Sequence, residues 1–304
     1  MSKGWLWVLA VLIMISAVVY QRTTGPTYPF RGTFDAGGQS YEYRLVRSQE
    51  TSGEARVALP DPGGSSDEMK FEAKLNHKRF KTDDSFTIVS FVKETKEDGA
   101  EWAAYLPIQP AAGKMEYFVT LTVGEKSTRI PALTPASFVG RPEGQDNIVL
   151  RYKDPVPGAI LWPHIIMMFF SVLIGMRAGL AAIFGHQDMR KLAFIALCGM
   201  TLGGMILGPI VQKYAFGEYW TGFPFGGDLT DNKMLIMWGS WLIAVAAIGT
   251  RPKKNEKVSR AVVLVAALVM TGVYLIPHSM RGSELDYTQV DQGVDPSEAI
   301  GTGD

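Results

Sequence analysis

The stretch GPIVQKYAFGEYWTGFPFGGDLTDNKMLIMWGSW, residues 208–241, joins two apolar runs and decides how the chain is organised. Its loop contains four glycines, Gly217, Gly222, Gly226 and Gly227. The stretch also contains Trp220, Trp238, Trp241, Asp228 and Asp231. Connections between helices are usually short. This one is long, aromatic and rich in glycine, which predicts a loop that folds back on itself and forms a surface.

Apolar residues outside this loop are concentrated in one N-terminal run and in four runs after Gly158, whereas the middle of the chain is polar and charged. The runs cover residues 4–20, 160–184, 192–211, 234–249 and 258–276. At about 1.5 Å per residue, the first run nearly crosses a hydrocarbon layer of ~30 Å. We expect each of the four later runs to span the layer as well, allowing for tilt. The pattern therefore predicts a membrane protein with a signal anchor, a water-soluble domain and a four-helix transmembrane bundle.

The composition shifts place the domain boundaries. We expect a signal-anchor helix over 1–22, an extracytoplasmic β-sandwich over 23–154, a transmembrane bundle over 155–280 with an outer aromatic loop over 212–233, and an acidic extracytoplasmic tail over 281–304. A cleaved signal peptide is the alternative for the first run. A small-residue cleavage site is missing there, because Tyr20 leads into Gln21 and Arg22, and this favours an uncleaved anchor.

Short alternating runs separated by turn signals fill residues 23–154 and predict seven or eight strands. The segment AAGKMEYFVTL, residues 111–121, resembles the tyrosine-corner region of immunoglobulin-like and fibronectin-like sandwiches. That resemblance implies that Tyr117 bonds back to a loop backbone. Cys198 is the only cysteine, so no intrachain disulfide forms and the resemblance extends only to the architecture. In the apolar runs, glycine spacings such as Gly175 with Gly179, or Gly199 with Gly203 and Gly204, predict close helix packing.

Charge predicts the orientation in a bacterial inner membrane. Lysine and arginine are concentrated in the connections 185–191 and 251–260, which the positive-inside rule places in the cytoplasm together with Lys3 and the N-terminus. The sandwich, the aromatic loop and the tail then lie outside, and the chain has five spans. We expect Arg177, near a cytoplasmic helix end, to snorkel. With a net charge of zero and no basic excess, the composition argues against a nucleic-acid partner.

Two Pro-His pairs fall at the predicted outer face. His164 follows Pro163 at the start of one span, and His278 follows Pro277 at the end of the last. The same layer is expected to contain Trp162, Trp220, Phe223, Phe225, Asp228, Asp231, Glu284 and Asp286. An iron porphyrin can be bound by two neutral imidazoles as axial ligands, by aromatic residues that cover the macrocycle, and by groups that orient the imidazoles. The sequence thus predicts a cofactor site for haem, with iron bound by His164 and His278 and contacts from Trp162, Trp220, Phe223, Phe225 and Asp228.

The order of these residues resembles haem-handling proteins of cytochrome c maturation, in which outer-face histidines flank a tryptophan-rich loop between two spans. The likeness covers about residues 160–280. This chain departs from the pattern, because Phe223, Phe225 and Gly227 stand where that family is richer in tryptophan. Separately, the phrases IPHSMRGSELDY, LPIQPAAGKMEYFVTL and GPIVQKYAFGEYWTGFPFGGDLTDNK resemble a group of uncharacterised bacterial inner-membrane proteins, which implies no activity.

Other interpretations of the same residues stay open at this point. The histidines and aromatic residues also fit an interfacial belt that bonds water and backbone, or a site for quinone or lipid. Asp228 can cap the loop and Thr230 or Asp231 the next helix, or the two acids can bind a cation. The histidines with carboxylates could also bind zinc, but no short ligand spacing marks such a site.

Two functions follow from these interpretations. The first is a haem-binding or haem-handling membrane protein. The alternative is a non-catalytic accessory or assembly subunit that docks membrane or periplasmic partners through the sandwich. No motif assembles a nucleophile, a base and an orienting acid, which argues against a hydrolytic enzyme. The spans contain almost no acids that would mark an ion path, which argues against a transporter.

Overall fold

The computed structural model describes residues 2–63, 70–97, 99–133, 146–186, 188–251, 255–277 and 282–302. The chain divides into two compact units, and each is described by itself. The helical unit comprises Met1–Pro26, Val156–Ser283 and Gly301–Asp304. The sheet unit comprises Thr27–Pro155 and Glu284–Ile300.

The helical unit follows the predicted apolar runs closely. Its elements are α1 (Lys3–Thr24), α2 (Gly158–Phe184), α3 (Met189–Met200), a π-helical segment (Thr201–Leu207), α4 (Gly208–Phe216), α5 (Leu229–Ile248) and α6 (Lys257–Leu275). Among the described residues, four helical segments are long and apolar enough to cross a membrane: Lys3–Thr24, Gly158–Phe184, Met189–Phe216 and Lys257–Leu275. Helix α5 is not in this set, and its first five residues include Asp231, Asn232 and Lys233.

Glycines bring the helices into close contact, as their spacing predicts. A Cβ atom on Gly179 would lie 2.5 Å from Cβ of Ala267, and one on Gly204 would lie 2.2 Å from Sδ of Met234. A Cβ atom on Gly175 would lie 2.7 Å from Sδ of Met270. The Cβ atom of Ala267 cannot move aside without its helix, so position 179 requires glycine, whereas Met234 and Met270 would have to shift for a larger residue at 204 or 175. The prediction of close helix packing is confirmed.

Arg177 differs from the expectation that it would snorkel to solvent. Its side chain is 0% exposed, and its Nη2 atom lies 3.2 Å from Oδ2 of Asp188, just before α3. The guanidinium carbon also lies 5.3 Å from the centre of the Trp7 ring on α1. The chain turns back after α2 and brings Asp188 to Arg177, so the guanidinium forms an ion pair inside the helical unit.

The sheet unit contains more strands than predicted. Between residues 30 and 153 the described part of the chain has β1 (Phe30–Ala36), β2 (Gln39–Leu45), β3 (Ser48–Glu50), β4 (Ala55–Pro60), β5 (Phe71–Arg79), β6 (Thr87–Ser90), β7 (Val92–Lys96), β8 (Gly99–Leu106), β9 (Lys114–Val123), β10 (Lys126–Ile130) and β11 (Ile148–Lys153). The C-terminal segment adds β12 (Ser283–Leu285), α7 (Tyr287–Asp291) and β13 (Ile300–Thr302).

These strands form several sheets within the described residues. One sheet has the order β3-β11-β9-β5-β6, with β10 also paired to β9, and a second has the order β4-β8-β7. The pairs β1-β2 and β12-β13 stand apart. Alternate residues of β9 are buried, including Tyr117 and Val119, and they share one core with Val57 of β4 and Leu106 of β8. The period of two along β9 therefore gives the sheet one core face and one outer face.

Tyr117 makes the kind of bond that its resemblance to a tyrosine corner implies. The side chain is fully buried, and its hydroxyl donates a hydrogen bond of 2.6 Å to the carbonyl oxygen of Val46. Val46 lies between β2 and β3, so the acceptor is on a loop. It is 71 residues upstream, however, and not on the loop that directly precedes the strand.

Residues 284–300 are a packed part of the sheet unit. Glu284 forms ion pairs with Lys114 and, at 2.9 Å, with Lys81. The amide of Leu285 donates to the carbonyl oxygen of Ala112 at 3.2 Å. Arg79 bridges Asp84 and Asp291, each at 2.7 Å, and its hydrogen bonds lower the pKa of Asp84 to about 2. The acidic segment is therefore held by cations of β5 and its neighbours.

His77 of β5 predicts a pH dependence of the sheet unit's stability. Burial lowers its pKa, and its Nδ1 atom has no hydrogen-bond partner among the described residues. As the pH falls below about 6.5, the unfolded chain gains a proton that the folded chain does not, so the free energy of unfolding decreases. Carboxylates with lowered pKa values lose their stabilisation only below about pH 4.

We expect hydrogen exchange of the β5 amides, corrected for intrinsic rates, to show lower protection at about pH 5.5 than at about pH 7.5 in the detergent-solubilised full chain. The His77→Gln variant should remove this difference. An equal loss of protection in wild type and variant would show that another group is responsible.

Candidate functional site

The aromatic loop is defined structurally as residues 217–228, between α4 and α5. Gly217 ends α4 with a positive φ of 84°, and its amide donates to the carbonyl oxygen of Lys213. Such a left-handed residue favours glycine and stops the helix. The loop ends at Asp228, where α5 begins. Both ends of the loop are therefore fixed by helix caps.

Asp228 is the N-cap of α5 and also binds beyond it. Its Oδ1 atom accepts hydrogen bonds from the amides of Thr230, at 2.7 Å, and Asp231, at 3.4 Å. Its Oδ2 atom accepts from the Thr221 hydroxyl and from the amide of Ser283, both at 3.0 Å. One buried carboxylate thus joins the start of α5, the aromatic loop and the segment that follows α6.

Asp231 closes the loop against α4. Its Oδ2 atom accepts from the amides of Thr221, at 2.7 Å, and Gly222, at 3.0 Å, and from Nε2 of Gln212 on α4, at 3.1 Å. A Cβ atom on Gly222 would lie 2.5 Å from Cβ of Asp231, so only glycine permits this approach. Buried carboxylates need such donors, because an unpaired charge is costly away from water.

Lys233, two residues further on, satisfies the end of α6. Its buried Nζ atom donates to the carbonyl oxygens of Ile276, at 2.7 Å, and Pro277, at 3.0 Å. Carbonyls at a helix C-terminus lack partners within the helix, and a lysine there also meets the negative end of the helix dipole. Lys233 therefore holds α5 and α6 together at the level of the loop.

This geometry shows which residue caps α5. Capping by Asp228 is observed, whereas the expectation that Thr230 or Asp231 would be the N-cap of α5 is wrong. Asp231 lies within the first turn of the helix and binds the loop instead. The cap falls at Asp228 because the loop turns there, with φ −54° and ψ 115°, and frees its side chain to receive the first amides.

His164 lies in α2 and bonds to the π-helical segment. Its Nδ1 atom is 2.8 Å from the carbonyl oxygen of Gly203. A carbonyl only accepts, so Nδ1 is protonated and the lone pair of the neutral ring is on Nε2. Within the described residues, Nε2 has no hydrogen-bond partner. A backbone bond that fixes the ring and its tautomer is the arrangement that metal-binding histidines use.

The aromatic side chains of the predicted site face outward. Phe223 is 68% exposed and Phe225 is 82% exposed, and Trp162 of α2 is also exposed. Trp220 is half-buried, and its indole N–H donates to the carbonyl oxygen of Phe223 at 3.0 Å. The loop therefore presents rings on a surface that is held from within by Asp228 and Asp231.

Other predicted residues are placed elsewhere or are not described. His278 lies outside the described residues. Glu284 pairs with lysines of the sheet unit, and Asp286 caps α7 through the amides of Thr288 and Gln289. Across the described ranges, no three His, Cys, Asp or Glu side chains form a cluster that could bind a metal ion. The haem site thus stays a prediction, and the structural feature that supports it is the orientation of His164.

The sheet unit offers a second surface, the outer edge of β6. This strand is last in the order of its sheet, and no other strand of the described residues pairs with that edge. Its sequence Thr-Ile-Val-Ser carries no charge, and Ile88 is 61% exposed. Phe86, just before it, packs edge-on against Phe118 with ring centres 5.3 Å apart. The result is an apolar sheet edge beside a fixed aromatic pair.

Sequence reasoning missed several of these residues. Gln212, Thr221 and Ser283 are polar singletons at distant positions, and no motif links them. Thr221 stands between Trp220 and Gly222-Phe223 in the sequence. That setting was a signal that its hydroxyl is enclosed. The free edge of β6 could not be seen in the sequence, because it depends on the order of strands in the sheet.

Comparison with protein-family models, curated proteins and solved structures finds no match to this chain. The functional conclusion therefore depends on the geometry above.

Loss of the Asp231 carboxylate should destabilise the helical unit. We expect Asp231→Ala to lower the free energy of unfolding by about 1–3 kcal/mol, because it leaves buried amide donors without an acceptor. Asp231→Asn should cost less, since its amide oxygen can still accept from Thr221 and Gly222. Unfolding by a denaturing detergent in mixed micelles, followed by circular dichroism, measures the effect.

Glu218→Ala is the control for this measurement, because this acid lies in the same loop and makes none of these bonds. It should change the free energy of unfolding by no more than about 0.5 kcal/mol. Equal effects of Asp231→Ala and Glu218→Ala would contradict a structural role for the Asp231 network.

Proposed function

We propose that the chain is a non-catalytic accessory or assembly subunit of a bacterial inner-membrane complex, and that its sheet unit docks a partner protein. The observation that carries this proposal is the free, uncharged edge of β6. In the proposed architecture the sheet unit is an extracytoplasmic β-sandwich of the immunoglobulin or fibronectin type, and α1 is an uncleaved signal anchor.

The proposed topology has five spans, and α5 is one of them. Its apolar part is short, because polar residues occupy the start of the helix. The basic connections 185–191 and 251–260 would face the cytoplasm, and the sheet unit and C-terminus would lie outside. The burial of Asp231 and Lys233 supports a span at α5, because their charges are met within the helical unit. A tag fused after Asp304 that is reachable from the cytoplasm would contradict this orientation.

The contrast between two strand edges supports docking at β6. Strand β7 ends the three-stranded sheet, and its sequence Val-Lys-Glu-Thr-Lys carries charges at Lys93, Glu94 and Lys96. Lys93 pairs with Asp61 at 2.6 Å, and Lys96 with Glu101 at 2.6 Å. Charged edges of this kind discourage pairing with other chains. Strand β6 has no charged residue at its edge, as is expected of a strand that pairs with a partner protein.

The chemistry of the edge defines the partner. Unpaired amides and carbonyls of β6 would bind the backbone of an extended segment from a partner protein, which would add a strand to the sheet. Side chains of that segment alternate between faces, so every second one would meet Ile88 and Phe86. A β-branched or aromatic residue is expected there, because such residues stabilise pairs across neighbouring strands.

A photoreactive residue at position 88 should capture this partner in intact cells. We expect a discrete cross-linked product with a membrane or periplasmic protein, because Ile88 would lie inside the docked interface. Position 108 serves as the control, since Ile108 is also an exposed aliphatic residue but lies outside the strands. Gel mobility and mass spectrometry of the products are the readout.

The Ile88→Lys variant completes the test. An exposed substitution should leave the free energy of unfolding within about 0.5 kcal/mol of wild type. It should nevertheless abolish co-purification of the cross-linked partner, whereas Ile108→Lys should retain it. Absence of any product from position 88, or identical products from both positions, would rule out docking at β6.

Haem binding is the second candidate, and the geometry of His164 favours it. The Gly203 carbonyl fixes the ring so that Nε2 presents its lone pair, as an axial iron ligand requires. The bond falls in a π-helical segment, and π-helical turns occur frequently at functional sites. Trp162, two residues away, presents an exposed aromatic face for a macrocycle.

Absorption spectra of the purified full chain, expressed with ample haem, test this candidate. A Soret band that His164→Ala removes and His186→Ala leaves unchanged would support it, because His186 lies just beyond the opposite end of α2. A colourless protein that takes up no added haem would eliminate haem binding. A band that persists in both His164→Ala and His278→Ala would eliminate these histidines as ligands.

A further inference from the structure

We propose that a cavity at the basic end of the helical unit binds the phosphate headgroup of an anionic phospholipid. The cavity lies where α2 and α5 end and where α3 and α6 begin, and its volume is about 690 Å³. This inference goes beyond the proposed function. It assumes that the helices span a membrane and is independent of docking at β6.

Positive charge predominates in the lining of the cavity. Three cations, Arg190, Lys191 and Arg260, face one carboxylate, Glu256. Nη2 of Arg190 binds both oxygens of Glu256, at 2.8 and 3.0 Å, so that pair is neutralised. Nε of Arg190 is buried without a partner among the described residues. Lys191 is exposed. The cavity therefore retains an excess of positive charge.

The helix ends around the cavity contribute partial charges of both signs. Met189, Arg190 and Lys191 are the first residues of α3, and amides at a helix N-terminus attract anions. The C-termini of α2 and α5 carry the opposite partial charge. Arg260 offsets the α2 end, because its Nε and Nη2 atoms donate to the carbonyl oxygens of Ala182 and Ile183, both at 2.5 Å. The balance favours an anion.

The remaining lining distinguishes a lipid from a free phosphate ion. Phe194, Val245 and Ile248 form an apolar wall next to the cations, and Phe194 is exposed. A free phosphate ion has no apolar part that could contact these side chains, whereas a phospholipid would place its glycerol and first acyl carbons against them. Basic pockets between membrane helices on the cytoplasmic side are known to bind anionic headgroups.

Native mass spectrometry of the detergent-solubilised full chain tests the proposal with three probes. These are phosphatidylglycerol, phosphatidylcholine with the same acyl chains, and inorganic phosphate. We expect phosphatidylglycerol to bind more tightly than phosphatidylcholine, and inorganic phosphate to compete only weakly. Because one cation near an anionic headgroup contributes about 1 kcal/mol, Lys191→Gln should weaken phosphatidylglycerol binding about fivefold.

Lys257→Gln is the matched control, because Lys257 is exposed at the start of α6 but does not line the cavity. It makes the same change of charge at the same end of the helical unit and should leave binding unchanged. Equal weakening by both variants would show general surface attraction and overturn the proposal. Equal binding of the two lipids would overturn the role of the headgroup, and tight binding of inorganic phosphate alone would overturn the lipid. Circular dichroism of both variants confirms that they are folded.

Discussion

Buried charge that must find a partner is the constraint on which the helical unit depends. Asp231 accepts from the amides of Thr221 and Gly222 and from Gln212, and so it joins α4, the aromatic loop and α5. Lys233 then ties α5 to the end of α6. Each of these groups would be costly to bury alone, since charges away from water need several hydrogen bonds. Their partners are therefore what gives the loop a single conformation.

The same bonds limit what the aromatic loop can do. Both carboxylate oxygens of Asp228 and Oδ2 of Asp231 accept hydrogen bonds that hold the loop. What the loop presents outward is aromatic, as Phe223 and Phe225 show. His164 is oriented by backbone. A ligand at this face would thus be recognised by ring stacking and one nitrogen, while the sheet unit offers backbone at β6. These two surfaces suit different functions, which is why separate experiments distinguish them.

Sequence patterns predicted the local structure well, because the signals are local. Apolar runs became α1 to α6, and the glycine spacings around Gly179 and Gly204 became tight helix contacts. The candidate site was less predictable, because its bonds join distant positions. Whether Asp228 or Asp231 caps α5 depends on the direction of the loop, and the partner Ser283 comes from beyond α6. The free edge of β6 likewise depends on which strands pair.

Charged groups at both ends of the helical unit need counter-charges or hydrogen-bond partners, and the two ends provide them differently. At the loop end, acids are buried, amides point at them, and Gly222 lets the backbone close over them, so little polar surface is left for a ligand. At the other end, Arg260 satisfies the carbonyls of α2, but Arg190 and Lys191 surround an open cavity. Positive charge near a membrane surface is stabilised by anionic headgroups. In the proposed lipid complex, an anionic headgroup would supply at the open end the counter-charge that side chains and amides supply at the closed end.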